Sequence, residues 1–151
     1  MRIMAVDYGD ARTGVAVSDE SATLAGDAWV INSRCENETA QLLTDEVKKR
    51  GVSFIVVGHP KNMDGSIGPR AEKSERFAEL LRSLCGGGIG DGDGSVSHDI
   101  NVVLWDERMT TMSAHRVLDD VGKFGKKRKK TIDAVAASMI LESYLDHLKS
   151  R

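Results

Sequence analysis

Three acids, Asp7, Glu107 and Asp133, are far apart in the chain, yet each adjoins an apolar or small-residue segment. Asp7 ends the run "IMAV" (3–6), Glu107 follows "INVVLW" (100–105), and Asp133 is bordered by Ala134, Ala136 and Ala137. Carboxylates brought together repel one another, and each is costly to bury ionised unless a cation lies between them. Oxygen-only ligands suit a hard divalent ion, Mg²⁺ or Mn²⁺, which keeps several waters and binds through a few carboxylates plus substrate phosphate. Two such ions about 3.5–4 Å apart can activate a water and stabilise in-line displacement at a phosphodiester. On this reading Asp7, Glu107 and Asp133 are both the metal ligands and the catalytic residues, and the number of ions, one or two, stays open.

Taken singly, each acid has a plainer reading. Asp7 before Gly9 can organise a turn, Asp133 can be an acid at the positive end of a helix, and Glu107 between Asp106 and Arg108 can be a surface ion-pair partner. Only their joint occurrence favours a site. The cations divide in the same way. Lys126, Lys127, Arg128, Lys129 and Lys130 form a run that is usually just solvated, but directly before the helix carrying Asp133 it can grip phosphates with little sequence discrimination. Arg12 and Arg108 are candidates for the same work. His59, His98, His115 and His147 share no spacing and receive no catalytic role, while Trp29 and Trp105 fall within strand patterns and read as core. Cys35 and Cys85 have no metal-ligand spacing and read as free thiols.

These residues need a scaffold. "IMAV" (3–6), "TGVAVS" (13–18) and "AWVIN" (28–32) read as three strands joined by short links, an antiparallel meander. The period then changes. "NETAQLLTDEVKKRG" (37–51) sets Ala40, Leu43 and Val47 on one side, with acids early and cations late, and predicts a helix ending at Gly51. "VSFIVVG" (52–58) is continuous and apolar, the pattern of a strand buried on both faces. A helix over 70–84, a glycine-rich loop over 85–99, a strand over 100–105, a threonine-capped helix over 110–122, a basic loop and a long helix over 131–148 complete the order. Strand–helix–strand links return parallel, so this order predicts an α/β fold with a mixed five-stranded sheet, three antiparallel strands then two parallel, flanked by helices. The element order resembles that of the RNase H-like fold. Its first strand is central, and the carboxyl ends of the parallel strands share the edge where open α/β sheets bind ligands. Asp133, with small neighbours that let its helix approach closely, can join Asp7 and Glu107 there.

A chain of 151 residues, 40% hydrophobic and 29% charged, predicts one domain over 1–151. No apolar run is long enough to span a membrane, and Met1-Arg2 leads directly into a strand pattern, so a cytoplasmic location is expected. The net charge of −2 conceals the basic run, so it does not exclude a polyanionic partner.

Three stretches, "AVDYGDARTGVAVSD", "VGHPKNMDGSIGPRAEKSERFAELL" and "DERMTTMSAHRVLDD…KKRKKTIDAVAASMILESYL", resemble in order the signature stretches of the YqgF-type family of Holliday junction resolvases and pre-16S rRNA nucleases. The resemblance covers nearly the whole chain apart from 20–36 and the glycine-rich loop. It implies a divalent-metal phosphodiesterase whose acids fall on Asp7, Glu107 and Asp133, trimming the 5′ end of pre-16S rRNA in the bacterial cytoplasm. The expected partners are structured RNA in preference to branched DNA, a preference resting on the resemblance alone, and ribosome-assembly factors; monomer and homodimer both stay open. Two departures stand out: His59 occupies a position usually apolar, and 85–98 is longer and richer in glycine. Two rivals are carried forward. "DYGDARTGVAVSD" also fits the phosphate-binding hairpin of actin-like ATPases, although only one lobe is present. The same fold and basic run also fit a module that binds nucleic acid without cutting it.

Overall fold

The computed structural model describes residues 1–85, 100–107 and 125–150, with the backbone alone over 125–131. Five strands, β1 (Arg2–Asp7), β2 (Arg12–Ser18), β3 (Ala25–Asn32), β4 (Val52–His59) and β5 (Asn101–Asp106), form one sheet in the order β3-β2-β1-β4-β5. β1 pairs antiparallel with β2, and β2 with β3, while β1–β4 and β4–β5 are parallel. This is the mixed sheet expected from the sequence, with β1 at its centre. The described helices are α1 (Glu36–Arg50), α2 (Pro69–Leu84) and α3 (Gly125–Lys149).

The side-chain period of two decides how β1 is used. Met4 and Val6 join Val15, Val17, Ile55 and Val57 under α1 and α2, whose Leu43, Val47, Phe77 and Leu81 fill that layer. Ile3 and Ala5 face the opposite way and pack with Ala16 and Val56 against Ala137, Ile140, Leu141 and Leu145 of α3. A central strand buried on both sides has little room for a charge except at its end, where Asp7 lies. α1 ends as its sequence predicts: Gly51 adopts φ 68° and its N–H bonds to the Val47 carbonyl, a left-handed cap that glycine adopts without Cβ strain. Pro69 opens α2, where its missing N–H costs nothing.

Two expectations need correction. β3 begins at Ala25, three residues before the "AWVIN" pattern, because Ala25 pairs with Ser18 although its neighbours Gly26 and Asp27 carry no strand signal. The run 126–130 is not a loop: its backbone forms the first turns of α3. Lysine and arginine are good helix formers and need no apolar face to continue a helix that packs elsewhere. The helix expected over 110–122 and the glycine-rich residues 86–99 lie outside the described residues. Among the described residues, no helix is long and apolar enough to cross a membrane.

Candidate active site

β1, β4 and β5 run parallel, so the ends of all three strands meet at one edge of the sheet. Asp7 is the last residue of β1, and Glu107 directly follows β5. Their carboxyls form a hydrogen bond in which the Asp7 carboxyl donates to Glu107. Burial first, then the charge and hydrogen bond of Glu107, push the Asp7 carboxyl well above the usual range, and the charge of Asp133 adds to this. Burial likewise raises Glu107, opposed by the hydrogen bond from Asp7 and by the charges of Arg70 and His59. One proton between two half-buried carboxyls in contact is how such a pair avoids carrying two charges.

Local sequence makes room for this pair. Gly58, the penultimate residue of β4, faces Glu107: a Cβ there would collide with the Glu107 carboxylate and lie 2.7 Å from Ile140 Cδ1. Gly14 of β2 does the same for α3, since a Cβ would strike the Asp133 carbonyl and touch Ala137 Cβ at 3.4 Å. The close approach of α3, anticipated from its alanines, therefore also requires a glycine in the facing strand.

Asp133 sits in the third turn of α3, not the first, because the helix begins at Gly125. The helix-terminus explanation for this acid accordingly has no basis. Its Oδ2 lies 3.1 Å from Arg12 Nε at the start of β2, an ion pair without hydrogen-bond geometry, so this buried oxygen has no hydrogen-bond partner. Burial raises the Asp133 carboxyl, and Arg12 pulls it down. The structure thus brings Asp7 and Glu107 into contact and sets Asp133 within electrostatic reach of Asp7, but turned toward Arg12. Among the described residues no three His, Cys, Asp or Glu side chains close on a single point as a metal cluster.

Arg12, expected to contact substrate, is engaged with Asp133. Arg108 lies outside the described residues, as do the side chains of Lys126, Lys127, Arg128, Lys129 and Lys130. The backbone nevertheless places positions 129 and 130 one helical turn before Asp133. Three participants received no role at the site from the sequence. Arg70, exposed in the first turn of α2, acts electrostatically on both Asp7 and Glu107. It also lines a recess of about 30 Å³ with Tyr8, Gly9, Asp10 and Lys73. His59 is buried at the end of β4, its Nε2 3.0 Å from Glu75 Oε1 and its backbone in register with Asp106. Gly58 is the third; a glycine ending an otherwise apolar strand signals a close approach of other atoms.

A five-stranded sheet with this order and an acidic pair at the ends of its parallel strands defines an RNase H-like nuclease fold. T. thermophilus RuvC in complex with a Holliday junction substrate has the same fold, with a TM-score of 0.62 at 11% identity over 97% of this chain and 96% of that one. The Fowlpox virus resolvase, solved with Holliday junction DNA, gives a TM-score of 0.55 at 12% identity over 98% and 99% of the two chains. The family model described as "RuvX: Holliday junction resolvase" matches residues 1–147, and the chain belongs to that family, whose members are nucleases acting on phosphodiester bonds. A protein of Halothermothrix orenii named "Putative pre-16S rRNA nuclease" is 44% identical over 147 residues, covering 97% of this chain and 96% of its own. One of the same name from Caldanaerobacter subterraneus subsp. tengcongensis is 43% identical over 151 residues, covering 99% of each.

Proposed function

We propose that residues 1–151 act as one divalent-metal-dependent endonuclease domain, cutting phosphodiesters of structured RNA and trimming the 5′ end of pre-16S rRNA in the cytoplasm. The observation that carries the mechanism is the half-buried carboxyl pair Asp7–Glu107, with Asp133, ion-paired to Arg12, within electrostatic reach. The relatives named for pre-16S rRNA support the substrate. The donor set fits a hard cation, since it offers carboxylate oxygens only and burial raises all three groups.

Asp7, Glu107 and Asp133 would hold Mg²⁺ or Mn²⁺. When bound, such an ion supplies a water of lowered pKa and neutralises charge developing on the phosphodiester oxygens. The chain's own residues set the conditions. The proton on Asp7 must leave before both carboxylates can act as ligands, which favours neutral over acidic pH. Arg12 and Arg70 flank the acids from the β2 and α2 sides and can neutralise and orient the phosphate. The cations Lys126, Lys127, Arg128, Lys129 and Lys130, together with Arg108, add salt-sensitive grip on the backbone.

Branched DNA is the second substrate to consider, because the family's own description names the Holliday junction. Purified protein is incubated with a 5′-extended 16S rRNA fragment and with a synthetic four-way junction, with Mn²⁺, with EDTA, and as Glu107→Gln. Mn²⁺-dependent cleavage of the RNA, lost in the variant, is expected. Cleavage that survives the chelator would contradict the mechanism, and cutting of the junction alone would reassign the substrate.

A further inference from the structure

The segment 60–68 joins β4 to α2 beside the acidic pair: before it, Gly58 faces the Glu107 carboxylate and His59 is in register with Asp106; after it, Arg70 lines a recess with Tyr8 and Gly9, the residues that follow Asp7. It is internally fixed. Asn62 N–H bonds to the Ser66 carbonyl at 3.0 Å and Gly65 N–H to the Asn62 carbonyl at 2.9 Å. Asn62 Nδ2 donates to Ser66 Oγ at 2.9 Å, while Ser66 N–H and Oγ both donate to Asp64 Oδ1, at 2.9 and 2.6 Å. Gly65 takes φ 87°, a conformation open to glycine without Cβ strain.

This bonded arch holds apolar side chains out in water. Met63 is 82% exposed and Ile67 48%, two of the six large hydrophobic residues left exposed among the described residues. Apolar groups held exposed on an internally bonded loop are available for contact with a partner. Cations stand at its two ends, Lys61 and Arg70, while its one acid, Asp64, accepts from Ser66. An apolar tip between cations matches a nucleic acid: phosphates meet the cations, and the tip meets a base plane. Protruding methionine and isoleucine side chains are among those that enter base stacks and part them.

We infer that the 60–68 arch is a base-unstacking contact, with Met63 and Ile67 pressing against a base at the end of a helical segment, next to the phosphodiester presented to Asp7 and Glu107. This rests on the nuclease reading. It accounts for a preference for structured nucleic acid, since an uninterrupted duplex offers no end to open and must be unstacked at higher cost.

The test uses the full chain in EDTA, so that no cutting occurs, and an RNA hairpin with a 5′ single-stranded extension carrying 2-aminopurine at the helix end. Binding of the wild type is expected to raise 2-aminopurine fluorescence about twofold or more, as unstacking requires. Met63→Leu keeps the rise. Met63→Ser combined with Ile67→Ser loses at least half of it, while affinity at low salt, carried mainly by the cations, falls less than about tenfold. Equal melting temperatures verify that the exposed substitutions leave the fold intact. A wild type that binds in EDTA without a fluorescence change and cuts the same RNA once Mn²⁺ is added, or a double variant that keeps the full rise, overturns the inference alone. A double variant that changes the sedimentation of the free protein shows the tip to be a protein contact and overturns it as well. Failure of the wild type to bind the hairpin or a four-way junction removes the nuclease reading itself.

Discussion

Replacing Asp7 by asparagine should abolish cleavage and at the same time make the metal-free protein more stable at neutral pH. Asp7 is half-buried against Glu107, and desolvation raises its carboxyl well above the ordinary aspartate range. A folded-state pKa above the unfolded value means that the folded protein binds the extra proton. This pair therefore costs stability progressively as pH rises from about 4 through the raised values, and it costs nothing below that window. Asparagine has the same shape, and its amide N–H₂ can replace the donated hydrogen bond while removing one charge. Two charges about 4 Å apart at an effective dielectric of 20 repel by about 4 kcal/mol. Because the pair already relieves part of this by retaining a proton, about 1–2 kcal/mol remains to be recovered at neutral pH. That corresponds to a rise in Tm of about 3–6 °C for a chain of this size. Calorimetry in EDTA at pH 4 and pH 7.5 is the assay. Wild type and Asp7→Asn should melt together at pH 4 and separate at pH 7.5, with the variant higher. A variant that melts lower than wild type at pH 7.5 refutes the claim that these carboxyls oppose one another.

Two further substitutions probe the positioning of the acids. Gly58→Ala places a Cβ against the Glu107 carboxylate, so the flexible end of Glu107 must swing away from Asp7. Cleavage should fall at least about tenfold while stability changes by no more than about 1–3 kcal/mol, the usual cost of a small overpacking; parallel kinetics and melting curves decide it. Arg12→Gln frees Asp133 from its ion pair and removes a positive charge near the cation site. With Arg12 40% exposed and Asp133 25%, the pair is worth no more than about 1 kcal/mol, so Mn²⁺ affinity measured by calorimetry should tighten by roughly fivefold or less. RNA affinity should weaken in the same variant.

The sequence was informative where burial imposes a period. β1 and β4 are packed on both sides, so their apolar runs and the acid ending β1 are direct records of a central position in the sheet. The helix cap at Gly51 was equally readable, because it answers a local backbone need. The start of α3 was not, since residues 125–131 carry no apolar stripe, and a cationic first turn opposes the helix dipole. Nor could the pattern reveal that Asp133 pairs with Arg12, a contact between residues 121 positions apart that follows only from α3 lying across Gly14. Arg70 was passed over because a lone arginine at a helix start resembles any solvated cation until the strand ends are set beside it.

The most direct test of the whole account is a Mn²⁺ titration of the purified chain at neutral pH, followed by electron paramagnetic resonance, for the wild type and for Glu107→Gln. Stoichiometric binding of one or two ions that weakens by at least about tenfold in the variant is the result the account predicts, as expected when a carboxylate ligand is lost. Mn²⁺ binding that is unchanged in Glu107→Gln, with RNA cleavage intact, would contradict it.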